Sequence, residues 1–231
     1  MTRRVLATAG LLVCPLALAQ EPIPPGLHGA EKLAALVQRV SQVQTSATTL
    51  TADFEQRKTS RLLVEPSVSR GKFNFKAPDS VRWDYAEPRQ MTVLLTGGVA
   101  ITYRPAEKRA ERVEVGRAQR RVLRFVSAAE PLEKLREYFT FTLRDPGEPG
   151  DYTLLLKPTS RTIKKRLQSV EIEIDRHSFL PVRVAYTEAD GDSTTYAFSN
   201  IERNRPQLSD LFSLSLPQDV TVVHLKLGGR E

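Results

Sequence analysis

From Leu50 onward, apolar and polar residues alternate in one short segment after another. Leu50, Ala52 and Phe54 alternate with Thr51, Asp53 and Glu55. Phe73 and Phe75 alternate with Lys72, Asn74 and Lys76, and Val81, Trp83 and Tyr85 with Arg82 and Asp84. Successive side chains of a strand point to opposite faces, so each such run predicts a strand with one dry and one wet face. Gly97-Gly98, set between Met91–Thr96 and Val99–Arg104, is a strong hairpin signal, and Glu111–Val115 continues the meander. Further strands are expected at Tyr138–Arg144, Tyr152–Lys157, Gln168–Asp175, Leu180–Thr187 and Thr194–Ile201. Turns are expected at Arg176–Ser178 and Asp190-Gly191-Asp192, and a loop at Pro146–Gly150. One helical turn at Ser209–Phe212 precedes a last strand, Val220–Leu227. Many strands on short turns favour one continuous antiparallel sheet. Such a sheet must curl into a barrel, split, or cover its dry face with helices.

Helices able to do that covering are present. In Ala30–Gln44, Leu33, Leu36, Val37, Val40 and Val43 fall on one face, with Lys32, Gln38, Arg39 and Gln42 on others. A helical interruption at Ala118–Ala128 carries Val122, Leu123, Phe125 and Val126 among Arg120, Arg121 and Arg124. Pro131 opens a second short stretch to Glu137, with Leu132 and Leu135 apolar. Apolar stripes of this kind need a partner surface. We therefore expect Leu33, Leu36, Val37 and Val40, with Val122, Leu123 and Phe125, to form a lid over the sheet.

The N-terminus reads as an export signal. Arg3 and Arg4 precede an apolar run that ends in Ala17-Leu18-Ala19, and the small residues at 17 and 19 suit cleavage before Gln20. The run falls short of the roughly 20 apolar residues that span a bilayer. Cys14, the only cysteine, also permits a lipid-attachment reading, but bulky Val13 stands before it. Cleavage after Ala19 would leave no thiol for a disulfide or a metal site. It would also lower the formal charge from +7 to about +5, a surplus that suits an anionic partner or a membrane surface. The expected organisation is a signal peptide at 1–19, a flexible Pro-rich leader at 20–28 and one domain at 29–231. With 40% apolar and 26% charged residues, that domain is globular.

The residues offer little chemistry. His28, His177 and His224 share no metal-ligand spacing. There is no Gly-x-Ser-x-Gly turn and no phosphate-binding glycine loop. We expect no enzymatic activity, no metal and no cofactor. Export removes the chain from nucleic acid, which excludes that partner. The chain does offer aromatic mass in strand-like alternation: Phe54, Phe73, Phe75, Trp83, Tyr85, Phe139, Phe141 and Phe198. Such residues either fill a β core or line an apolar cavity. The basic run Arg117–Arg124 is either a solvated helix face or a site for acidic lipid heads or an acidic docking partner.

Particular motifs resemble a known family. LTADFEQRKTSR, SRGKFNFKAPDSVRWDYAEP and the hairpin ending in ITYRP look like the N-terminal half of the LolA-type periplasmic lipoprotein carriers. The most specific parts are Gly71-x-Phe-x-Phe75, Pro78 and Arg82-Trp83-x-Tyr85-x-x-Pro88. Leu211-Phe212 with Pro217-x-x-Val220 is similar to the family's ending, and the resemblance spans roughly Leu33 to Val223. It implies a mainly β fold with α: an unclosed, strongly curved antiparallel β-barrel, a half-barrel, covered by an α-helical lid. It implies a monomeric periplasmic carrier whose cavity takes lipoprotein acyl chains from an inner-membrane ABC transporter to an outer-membrane receptor. The cavity is then expected at Phe54, Phe73, Phe75, Val81, Trp83, Tyr85, Phe139 and Phe141, with Val81 at its mouth. One departure stands out. The family's arginine before the proline matching Pro78 latches the lid, and here that position is Ala77. Lys76 and Arg82 are near in sequence, but Arg82 alternates with Trp83 and should point away.

Carriage has a physical rationale. Each buried acyl CH₂ is worth about 0.8 kcal/mol, so a chain of ~15 is worth on the order of 12 kcal/mol and cannot cross water bare. A non-directional apolar cavity under a movable lid can replace that burial reversibly. The same fold could carry another lipid, a glycolipid or a fatty acyl product. It could also serve as a periplasmic lipid or lipoprotein sensor, although sensors of this fold typically carry a second domain.

Overall fold

The computed structural model describes residues 22–115 and 132–225. Its centre is a sheet of twelve strands. A first meander runs through β1 (Thr49–Thr59), β2 (Ser67–Lys76), β3 (Ser80–Glu87), β4 (Met91–Thr96), β5 (Val99–Arg104) and β6 (Arg109–Glu114). A second runs through β7 (Phe139–Arg144), β8 (Tyr152–Pro158), β9 (Leu167–Ile174), β10 (Pro181–Glu188) and β11 (Ser193–Arg203). Antiparallel pairing of β1 with β11, which sets Phe54 opposite Phe198, fuses the two meanders. A last strand, β12 (Thr221–Leu225), completes the spatial order β12-β6-β5-β4-β3-β2-β1-β11-β10-β9-β8-β7. Its end strands, β7 and β12, do not pair with each other, so the curled sheet stays unclosed.

Most strands fall where alternation places them. The β4–β5 hairpin turns on Gly97 and Gly98, with φ of 56° and 79°, the left-handed backbone that a tight two-residue turn requires. The expectation of a wholly antiparallel sheet needs one correction. β12 pairs parallel with β6, Thr221 opposite Arg109. Parallel pairing needs a crossover, and residues 204–220 supply it. Thr49 Oγ1 donates to the Arg205 carbonyl and Arg82 Nη1 to those of Leu211 and Ser213. The crossover therefore passes over the face of β3 opposite to Trp83.

β1 and β2 run further than expected, with Arg57 opposite Val68 and Lys58 opposite Ser67. Alternation does not mark these ends, because Gln56, Arg57 and Lys58 are all polar and the backbone ladder alone sets the register. A single-turn helix, α3 (Arg161–Lys164), has no counterpart among the expected elements; the Ser160 side chain caps it by accepting the Ile163 N–H.

Helix α1 (Gly29–Thr45) forms where the apolar stripe predicts it, with Leu36, Val37, Val40 and Val43 fully buried. Each such burial is worth about 2 kcal/mol. The stripe packs on Leu154 and Leu156 of β8, Ile172 and Ile174 of β9, and Leu132 and Leu135 of α2 (Leu132–Leu135). The segment expected as a flexible leader is partly packed: Ile23 is buried in this cluster and Leu27 lies against it. Residues 1–19, with the export signal and Cys14, lie outside the described residues. So do the basic run Arg117–Arg124 and the lid residues Val122, Leu123 and Phe125.

Candidate functional site

The other half of the dry face is aromatic. Phe54 of β1, Phe73 and Phe75 of β2, Val81 and Trp83 of β3 and Tyr196 of β11 are buried in one cluster, with Tyr85 and Phe198 half-buried beside it. Trp83 is the hub. Its ring lies 4.7 Å from those of Phe54 and Phe73 and 5.0 Å from that of Tyr196, in edge and tilted arrangements that ring quadrupoles favour.

Gly71 explains the Gly-x-Phe-x-Phe spacing. It lies opposite Phe54 on β1 and Tyr85 on β3. A Cβ there would fall 1.9 Å from the Asp84 carbonyl oxygen and 2.9 Å from the Phe54 ring. The missing side chain leaves room for the Asp84 carbonyl of β3, with the Phe54 ring beside it. The cluster's polar atoms sit at one end, where Gln56 Nε2 donates to the Tyr196 hydroxyl at 2.8 Å. Burial pushes the Tyr85 and Tyr196 phenols above their ordinary range, so both are neutral at physiological pH.

Between the aromatic cluster and the C-terminal end of α1 lies an apolar pocket of about 40 Å³. Gln44, Ala47, Phe73, Phe75, Phe198 and Ile201 are among its walls. It holds about three waters' worth of space, too little for an acyl chain. As seen here, the aromatic face is filled by its own rings.

Polar contacts pin α1 at both ends. At the N-terminal end, Lys32 Nζ lies 2.5 Å from Asp145, which also takes the Arg176 guanidinium and the Gly147 N–H. Burial raises the Asp145 pKa, but Lys32, Arg176 and the Gly147 N–H outweigh it and hold the carboxyl down at about 2. At the other end, Gln44 Oε1 accepts the Leu132 N–H and Ser41 Oγ the Glu133 N–H, tying α1 to α2.

Residues 45–215 match the family model of the outer membrane lipoprotein carrier protein LolA. The chain belongs to the LolA family. An outer-membrane lipoprotein carrier protein of Haemophilus ducreyi is 27% identical over 171 residues, covering 74% of this chain and 76% of that protein. An uncharacterized conserved protein from Thermus thermophilus shares the fold at a TM-score of 0.52 and 13% identity, over 84% of this chain and 99% of that one. MucB shares it at 0.50 and 13% identity, over 81% of this chain and 64% of that one.

Within this LolA-family frame, the eight residues expected to line a cavity divide. Phe54, Phe73, Phe75, Val81, Trp83 and Tyr85 come together in the aromatic cluster. Phe139 and Phe141 do not join them: β7 is the far edge strand, and both pack in the aliphatic cluster with α1. Of the residues expected to form a lid, Leu36, Val37 and Val40 are buried in that cluster and Leu33 lies half-buried on it. Sequence reasoning missed Tyr196, although it shares the parity of Phe198 two residues on. It also missed the Lys32–Asp145–Arg176 contact, because no local pattern links three charges on separate elements. Ala77 sits beside the junction of α1 and β1, where its N–H donates to the Thr48 carbonyl at 2.8 Å. Arg82 points away, as expected, and pairs with Asp84 at 2.7 Å. Among the described residues, no group of three or more His, Cys, Asp or Glu is placed to hold a metal ion.

Proposed function

We propose that this LolA-family chain is a non-enzymatic periplasmic carrier, exported by cleavage before Gln20. Acyl chains enter between α1 and the aromatic face of β1–β3. The cargo is the acylated end of lipoproteins moving from the inner to the outer membrane. An inner-membrane ABC transporter hands it over and an outer-membrane receptor accepts it. The observation that carries this reading is the apolar pocket at the boundary between the aromatic face and α1, walled by Phe73, Phe75 and Phe198. Rings packed at 4.7 to 5.9 Å can part to admit an apolar chain and close again, without breaking a buried hydrogen bond. Cargo then takes the aromatic part of the dry face, beside α1.

Trp83 is the only tryptophan, so its emission reports this site directly. A fluorescent acyl probe should bind the exported protein and quench or shift Trp83 emission. Mass spectrometry of co-purified lipid should find lipoprotein acyl ends. A probe that neither binds nor perturbs Trp83 would overturn the cavity reading, and a glycolipid or free fatty acyl product would overturn the cargo.

A further inference from the structure

The β1–β2 hairpin ends in an apolar tip. Leu62 is 93% exposed, Leu63 43% and Val64 fully exposed. Scattered exposed apolar residues are ordinary, but three in a row at the end of a projecting hairpin are not. The tip is held in place. The Leu63 N–H donates to the Ser60 carbonyl at 3.0 Å, and the Arg61 N–H to Asp192 of the neighbouring β10–β11 hairpin at 3.3 Å.

Cations stand behind the tip on the same rim. Arg57, Lys58 and Arg61 flank it, all exposed. The β10–β11 hairpin also joins the rim to α3, because the Ala189 N–H donates to the Arg166 carbonyl at 3.1 Å. Arg161, Lys164, Lys165 and Arg166 around α3 are all exposed. Acids on this rim include Glu65, Glu87, Glu188, Asp190 and Asp192, of which Asp190 and Asp192 accept backbone N–H groups and Glu87 takes Arg70 at 3.3 Å.

We propose that this rim docks the protein on an anionic lipid bilayer, with Leu62, Leu63 and Val64 entering the interface and the basic collar meeting the head groups. The order of chemistry matches a bilayer: apolar groups lead and cations stand back, as hydrocarbon lies beneath charged heads. An acidic protein surface would match the collar and leave the tip uncovered. The docking does not depend on which lipid fills the cavity.

The test is co-sedimentation of the exported protein with vesicles of phosphatidylcholine, with and without phosphatidylglycerol. Binding should require phosphatidylglycerol and weaken with salt. Leu62→Ser with Val64→Ser should reduce it at least tenfold. Lys164→Gln and Lys165→Gln should each reduce it about fivefold at low salt. All four positions are exposed, so the variants should melt like the parent and take up the monomeric acyl probe normally. Parent and variants share one N-terminus, so any difference reads the rim. Equal binding by the tip variant would overturn the proposal, as would binding indifferent to phosphatidylglycerol. A lipid-free dimer that the tip variant abolishes would also overturn it, by assigning the tip to a second copy.

Discussion

The two halves of the sheet bury their dry faces in different ways. Under α1, the face is mainly aliphatic around the buried rings of Phe179 and Tyr152, and Leu36, Val37, Val40, Val43, Leu154, Leu156, Val170 and Ile174 are all 0% exposed. On β1–β3 and β11 it is mainly aromatic, built on Phe54, Phe73, Phe75, Trp83 and Tyr196, with the pocket on its border. Branched aliphatic side chains that interlock at this density cannot shift singly without leaving voids. Aromatic rings accept offset, edge and tilted contacts over a range of centroid distances, so their arrangement is less narrowly fixed. On the proposed function, the half under α1 stays a fixed core, while cargo refills the aromatic half. Asp145, Gln44 and Ser41 hold α1 to the first and leave its C-terminal end beside the second.

Substitutions can break or sharpen this contrast. The largest effect should come from Leu36→Glu, which puts an unpartnered carboxylate in the half under α1 and should cost about 4 kcal/mol or more in urea unfolding. Gly71→Ala should cost about 3 kcal/mol, because its methyl meets backbone that cannot yield without moving β3. Trp83 emission should then report a disturbed aromatic cluster.

Asp145→Asn should remove about 2 kcal/mol, the scale of a hydrogen bond to a charged group. Its pH dependence follows from the sign of the shift. The folded pKa of about 2 lies below the ordinary 3.8, so the stabilisation is fully present above about pH 4 and lost as pH falls toward 2. Thermal melts of the parent should fall across that window, and those of Asp145→Asn should lack this component.

A matched pair probes the contrast itself. Phe198→Leu and Val170→Ala should each cost about 1 to 2 kcal/mol. Only Phe198→Leu should also weaken acyl-probe binding, by severalfold; equal loss from both would erase the distinction between the halves. The smallest effect should come from Ala77→Arg. A cation beside the C-terminal end of α1 should add about 0.5 kcal/mol through the carbonyls there and slow probe uptake, as stopped-flow Trp83 emission would show.

Much of the aromatic cluster was legible because parity is local. Phe73 and Phe75 must share a face, as must Val81, Trp83 and Tyr85, and short hairpins carry one face from strand to strand. The same signal put Phe139 and Phe141 on the dry face without telling which half of the sheet they would join. Alternation says which face a residue takes but not where its strand lies in the sheet, and β7 ends at the edge farthest from β3.

Sequence alone determined the strand-rich fold, the stripe of α1, the Gly97-Gly98 turn and the common face of the aromatic residues. Each is set by periods of two or 3.6 residues or by a turn's backbone demand, which neighbouring residues express. Tertiary structure alone decided the β1–β11 join, the parallel return of β12 and the split into an aliphatic and an aromatic half. It also decided how α1 is held without an arginine at position 77. Lys32, Asp145 and Arg176 meet only because the β7–β8 and β9–β10 connections reach the start of α1 once the sheet has curled. Contacts closed over such chain separations leave no periodic trace in the residues that make them.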